Sequence, residues 1–165
     1  FDAALPGMSG FSACSTDLRR PDARFAPTDA KASCLYAHST RVLREAKEKG
    51  FDNAVMCDPD GHVAEFATAN IFFVAENGDV VTPVPNGTFL SGITRARVIQ
   101  LLADDGTKVI ERSVKPEELL TAREIFNTGN YGKVTPCIRY LDRELPVGPV
   151  ASRARELYMN YLQQA

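Results

Sequence analysis

A chain of 165 residues, 44% hydrophobic and 24% charged, is long enough to bury one real core and carries no compositional mark of disorder or repeats. Its formal net charge is −2 with Lys and Arg scattered along the chain, which leaves no electrostatic footprint for nucleic acid or an anionic membrane surface, and its apolar runs are far shorter than a bilayer crossing. The four cysteines, Cys14, Cys34, Cys57 and Cys137, make no CxxC pair, so reduced, mostly packed thiols in a cytoplasmic protein are expected, with no metal site and with small-molecule chemistry as the function class.

The opening phrase Pro6-Gly7-Met8-Ser9-Gly10 is rich in small and turn residues, so residues 1–20 read as a linker, and a chain that opens at Phe1 without methionine is expected to be an excerpt of a longer protein. Pro27-Thr28-Asp29 looks like a helix start. Thr28 or Asp29 can cap the free amides ahead of Lys31, and the helix should run to about Lys49, with Leu35, Val42, Leu43 and Ala46 on one face and Gly50 as its C-terminal cap. Ala54 to Cys57, a turn at Asp58-Pro59-Asp60-Gly61 and a run from Val63 predict a hairpin. A second hairpin follows at Ile71 to Val74, Glu76 to Asp79 and Val80 to Thr82.

Thr82 to Gly92, with Pro83, Pro85, Gly87 and Gly92, reads as a loop that ends on a helix over Thr94 to Ala103, which places an anion-binding helix start at the loop's end. Beyond it come a strand at Lys108 to Arg112, a short helix from Pro116, strands near Ile125-Phe126 and Val134 to Ile138, and a last helix with Val150, Ala154, Leu157, Tyr158, Tyr161 and Leu162 as its buried stripe. The class is α/β, or α+β if the hairpins dominate the sheet.

Three features could carry chemistry, and each has an ordinary explanation when taken singly. Lys31 alone would be a solvated surface charge. Glu65 stands in an apolar neighbourhood, Phe66 to Phe72, where a carboxylate needs a cation or a strong donor, although a structural ion pair would serve. Leu90-Ser91-Gly92-Ile93-Thr94-Arg95 presents free amides and a hydroxyl suited to a phosphate, although an ordinary N-cap has the same look.

Together these residues carry a resemblance. Glu65-x-Ala67-x-x-Asn70-Ile71-Phe72, then Val80-x-Thr82, then Leu90-x-Gly92-Ile93-x-Arg95 resembles the signature of the class IV pyridoxal-phosphate aminotransferases at every fixed position. Lys31-Ala32-Ser33, with Tyr36 behind it, stands at the separation from Glu65 found in branched-chain aminotransferases, and the similarity continues through Thr128-Gly129-Asn130 and Val134-Thr135-Pro136 to the closing helix. The resemblance implies the larger C-terminal, cofactor-binding domain of a fold type IV enzyme over residues 21–165, with a smaller N-terminal domain outside this chain. It implies pyridoxal 5'-phosphate held as an internal aldimine by Lys31, whose freed amine then shuttles the substrate α-proton. It further implies Glu65 on the pyridine nitrogen, Tyr36 on the phenolic oxygen and Leu90 against the ring face. Gly92, Ile93 and Thr94 would form the phosphate cup, with Asn130 as another phosphate contact.

Two departures bear on the substrate. Asn130 and Tyr131 stand where the family commonly has Thr and Ala, and Ala69 replaces an acidic residue of some branched-chain enzymes. Asn130 and Tyr131 are the expected substrate-binding residues, with Tyr131 near the contact to the substrate carboxylate. The apolar phrase Ala64 to Ala69 and the overall resemblance favour branched-chain amino acids with 2-oxoglutarate, while D-amino acid and (R)-amine transamination and the aminodeoxychorismate lyase reaction share the scaffold. A non-catalytic phosphate-binding domain is the reading of another class; it would use the phosphate cup but has no use for the Lys31 and Glu65 pair. A homodimer is implied for the complete protein, and His38 and His62 are assigned no role.

Overall fold

The computed structural model describes residues 9–164, so the part of the expected linker at residues 1–8 lies outside it. Among the described residues nine strands join in one mixed sheet. The strands are β1 (Phe11–Ser15), β2 (Asn53–Cys57), β3 (Val63–Phe66), β4 (Asn70–Val74), β5 (Val80–Pro83), β6 (Val109–Arg112), β7 (Glu124–Gly129), β8 (Lys133–Tyr140) and β9 (Arg143–Glu144); the helices are α1 (Tyr36–Glu48), α2 (Ile93–Asp104) and α3 (Pro149–Gln164). The spatial order is β3-β2-β1-β8-β7-β4-β5-β6, with β9 on the side of β8. The two expected hairpins, β2–β3 and β4–β5, form. Parallel pairs of β1 with β2 and β8, and of β5 with β6, complete the α/β pattern.

Strand alternation sorts the side chains into two layers. Ala13, Val55, Phe66, Ile71, Phe73, Val81, Ile125 and Tyr140 come from seven different strands yet pack into one cluster, so the sheet is curled around its own inner face. On the outer face Phe72, Phe126 and Val134 meet Val98 and Leu102 of α2 and Ala151, Ala154 and Tyr158 of α3. Phe72 and Phe126 stack with ring centroids 5.1 Å apart. The other part of the outer face, Cys14, Ala54, Met56 and Ala67, lies under Val42 and Ala46 of α1. The outer face thus has one helical cover over β1 to β3 and another over β4, β7 and β8.

Three local expectations are corrected. Residues 11–15, read as part of the linker, are β1, which runs between β2 and β8 in the interior of the sheet. The helix expected from Thr28 begins later, with a 3-10 turn over Ser33–Leu35 that runs into α1 at Tyr36. Thr28 caps nothing there because its buried hydroxyl donates to the carbonyl of Gly87, and Ala32 is extended at φ −82° and ψ 135°. In α3 the stripe includes buried Ala151, whereas Leu162 is exposed. The other end of α1 is as read: Gly50 takes φ +79°, its amide bonds the Lys47 carbonyl at 2.9 Å and the Phe51 amide bonds that of Ala46 at 2.9 Å, which is the Schellman closure that glycine permits.

Candidate active site

Several chain segments arrive at one end of the curled sheet. In the antiparallel register Asn70, the first residue of β4, faces Thr128, next to last in β7. Because β5 runs antiparallel to β4, it ends at Pro83 beside the start of β4, and the loop to α2 leaves from there. Asn70 and Thr128 stand two residues from the outward-facing Phe72 and Phe126, so both point to the outer face. Glu65 pairs with Met56, which belongs to the layer under α1. The site forms where the two helical covers meet.

Glu65 is 7% exposed. Its Oε1 lies 3.5 Å from Nε of Arg20, and its Oε2 accepts from Asn70 Nδ2 at 3.3 Å. Burial pushes the Glu65 carboxyl up to about 7, and the Arg20 guanidinium pulls it back down. The same Asn70 Nδ2 donates to the Leu90 carbonyl at 2.8 Å, which ties the loop ahead of α2 to the carboxylate. A carboxylate desolvated in this way is suited to a cationic or proton-donating group brought by a ligand.

The start of α2 is built for an anion. Gly92, its N-cap, is extended and among the described residues no side chain caps the first turn, which leaves the amides of Ile93 and Thr94 at the positive end of the helix dipole open to a ligand. A Cβ on Gly92 would run into Oδ1 of Asn70, so only glycine lets the loop come this close to the strand. Thr94 is buried, and Ile93 is 90% exposed. Arg95, itself buried, anchors the turn from below: its Nη2 donates to the Pro83 carbonyl at 2.9 Å and to Glu111 at 2.6 Å. Near this start, on the outer face, the Oγ1 of buried Thr128 has no partner among the described residues. An orphan hydroxyl, free helix amides and a close glycine together fit a phosphate-bearing group.

The structure thus brings Glu65, Leu90, Gly92, Ile93 and Thr94 together through Asn70. Asn130 and Tyr131 arrive at the same end on the β7–β8 loop, where Asn130 Oδ1 accepts from Lys133 Nζ at 3.3 Å and Tyr131 is 81% exposed. They line a cleft of about 540 Å³ with Asn53, Thr68, Ala69 and Gly129, and Asn53 Nδ2 steadies the Thr68 hydroxyl at 3.0 Å. Lys31 lies in an exposed turn and Tyr36, 52% exposed, opens α1. Neither makes a hydrogen bond or ion pair to Glu65 or to the α2 start among the described residues. Their segment is brought to the loop ahead of α2 by the Thr28 hydroxyl bond to Gly87, three residues before Lys31. The residue absent from the sequence reading is Arg20, buried at 5% exposure. Among the described residues no cluster of His, Cys, Asp and Glu could hold a metal ion, and no helix is long and apolar enough to cross a membrane.

The family model described as amino-transferase class IV matches residues 2–140. A probable branched-chain-amino-acid aminotransferase of Aquifex aeolicus is 35% identical over 97% of this chain and 52% of its own length. The branched-chain-amino-acid aminotransferase of Pseudomonas aeruginosa is 34% identical over 93% of this chain and 50% of its own length. Among solved structures, an aminotransferase from Brucella abortus bound to the cofactor PLP superposes with a TM-score of 0.93 at 50% identity, over 96% of this chain and 56% of that one. The branched-chain aminotransferase of Thermoproteus uzoniensis with norvaline gives 0.91 at 32% identity, over 97% and 55%. The chain therefore spans about half the length of the curated relatives that it matches.

Proposed function

Because this chain belongs to the class IV amino-transferase family, we propose that it is the cofactor-holding part of a pyridoxal-phosphate-dependent aminotransferase. The proposed reaction transfers the amino group of leucine, isoleucine or valine to 2-oxoglutarate in the cytoplasm. The observation that carries this reading is the buried Glu65 carboxylate, linked through Asn70 to the uncapped start of α2. A phosphate site alone would need no desolvated carboxylate beside it. The names of the branched-chain relatives support the substrate class. We assign the cofactor-binding domain to the sheet from β1 onward, with a smaller N-terminal domain and a homodimer in the complete protein.

When bound, pyridoxal 5'-phosphate supplies an aldehyde that takes up the amino group and a ring that accepts the electrons left by the departing α-proton. Lys31 Nζ would be the attachment point for that aldehyde and, when free, the base for that proton. Glu65 keeps the ring nitrogen protonated. The amides of Ile93 and Thr94, the Thr94 hydroxyl and Asn130 would hold the phosphate, with Gly92 giving the close approach. Leu90 would pack on the ring face, the Tyr36 hydroxyl would donate to the phenolic oxygen, and Tyr131 would stand at the substrate carboxylate.

Borohydride reduction of the complete protein, followed by peptide mass spectrometry, tests the cofactor reading. A reduced cofactor on Lys31 is the expected result, together with loss of leucine transamination in Lys31→Ala. No labelled lysine after addition of pyridoxal phosphate would leave a phosphate-binding domain without the chemistry. A steady preference for D-alanine over leucine would overturn the substrate class and leave the cofactor standing.

A further inference from the structure

We propose that Arg20 is a positioning residue for Glu65, drawing its carboxyl toward the ionised form and aiming it by anchoring it to the loop between β5 and α2; the proposal rests on the cofactor reading above. The Arg20 side chain is 4% exposed and that of Glu65 9%. Its Nε donates to the Thr88 carbonyl at 2.8 Å and stands 3.5 Å from Glu65 Oε1. The stronger directional bond is therefore to the loop, and the carboxylate feels the guanidinium chiefly as a nearby positive charge.

Each end of this arrangement is fixed. The Arg20 amide bonds the Cys57 carbonyl at 2.8 Å, which holds the backbone against the end of β2. Thr88 is set by Asn86, whose Oδ1 accepts from the Thr88 amide at 3.2 Å and from its hydroxyl at 2.7 Å. Asn86 Nδ2 in turn donates to buried Asp58 at 2.8 Å. A line of hydrogen bonds thus runs from the β2–β3 turn through the loop to Arg20, and its far end faces Glu65. On the other side of Glu65, Asn70 closes the ring by joining the carboxylate to the Leu90 carbonyl.

The chemistry needs this cation. A carboxyl desolvated as Glu65 is, with the neutral Asn70 amide as its other partner among the described residues, favours the protonated form, and a neutral carboxyl is a poor partner for a protonated ring nitrogen. Arg20 adds a charge that cannot be lost near neutral pH. It also fixes the carboxylate relative to the loop that leads to the α2 start, so one connected unit would hold both the ring nitrogen and the phosphate of the cofactor.

The test compares the full-length apoprotein's affinity for pyridoxal 5'-phosphate with its affinity for the 1-deaza analogue, in which carbon replaces the ring nitrogen. Arg20→Gln and Glu65→Gln are each expected to weaken the natural cofactor by about tenfold or more while changing the analogue by less than about twofold, because the lost interaction acts only through the nitrogen. Arg20→Lys, which keeps the charge, is expected to retain the wild-type preference for the cofactor within about threefold. Equal losses for both compounds in Arg20→Gln, the mark of a merely structural arginine, would overturn the proposal, as would no loss for either. If Arg20→Gln does not fold, Arg20→Met decides by the same comparison: a loss confined to the natural cofactor supports the assignment, and equal losses for both compounds, or none, overturn it. A wild-type protein that binds neither compound overturns the cofactor reading itself.

Discussion

The hydroxyl of Thr28 donates to the carbonyl of Gly87, and this bond, three residues before Lys31, ties its segment to the loop that leads into α2. Thr28 is 1% exposed, so its hydroxyl has no water to fall back on. Thr28→Val keeps the shape and removes the donor. The expected cost is about 1–2 kcal/mol in chemical denaturation of the complete protein, with a weaker hold on pyridoxal phosphate as Lys31 loses its fixed distance from the loop.

Glu65 sets a dependence on pH in the apoprotein. Its carboxyl is raised by burial to about 7, against the lowering pull of Arg20, so between the ordinary carboxylate range and pH 7 the folded state binds more protons than the unfolded state. Stability must then fall as pH rises through that window. Relative to Glu65→Gln, whose side chain does not titrate, the wild-type apoprotein should lose about 3 kcal/mol between about pH 4 and pH 8. Denaturation of both proteins across this range measures it, and a wild type that instead gains on Glu65→Gln with rising pH would show the opposite shift.

Glu124 is a carboxylate spent on structure. It is buried at the start of β7 and accepts from the amides of Val150 and Ala151 at 3.3 and 3.0 Å, capping α3 from a distant strand. Gly148 stands so close that a Cβ there would overlap the carboxylate. Glu124→Ala and Gly148→Ala should each cost about 1–3 kcal/mol in stability, as the loss of a buried helix cap does. Cofactor affinity should be unchanged in both, as equilibrium titration would show.

Tyr131 offers the contrary case of a residue that costs the fold nothing. At 81% exposure beside the cleft that holds Asn130 and Ala69, its removal in Tyr131→Ala should change stability by less than about 0.5 kcal/mol. Steady-state kinetics of the complete enzyme should show KM for leucine raised about tenfold with kcat within about threefold, the signature of lost ground-state packing.

Much of the site was legible because its residues lie in short contiguous phrases. Glu65 to Phe72 and Leu90 to Arg95 each put a strand or helix end and its chemical groups in one stretch, and the two hairpins follow from local turn residues. The start of α1 was misplaced for the opposite reason. Thr28 has the local look of a cap, but its hydroxyl is taken by Gly87, 59 positions away. Arg20 falls in the stretch that reads as linker because its partners, Glu65 and Thr88, are equally remote in sequence. β1 was hidden as well: it is five residues long and both of its partners are parallel strands that reach it through long connections.

The sequence by itself determined the period of each long element, the turns between hairpin strands, the free helix start at Gly92 and the residue set with its family resemblance. These depend on backbone propensity and on neighbours within a few positions. Only the tertiary structure decided that β1 lies inside the sheet, that Lys31 precedes its helix, and that Arg20 and Asn70 flank the Glu65 carboxylate. Those outcomes depend on hydrogen bonds and charges between residues far apart in the chain, whose strength is set by burial that exists only once the sheet has curled and closed.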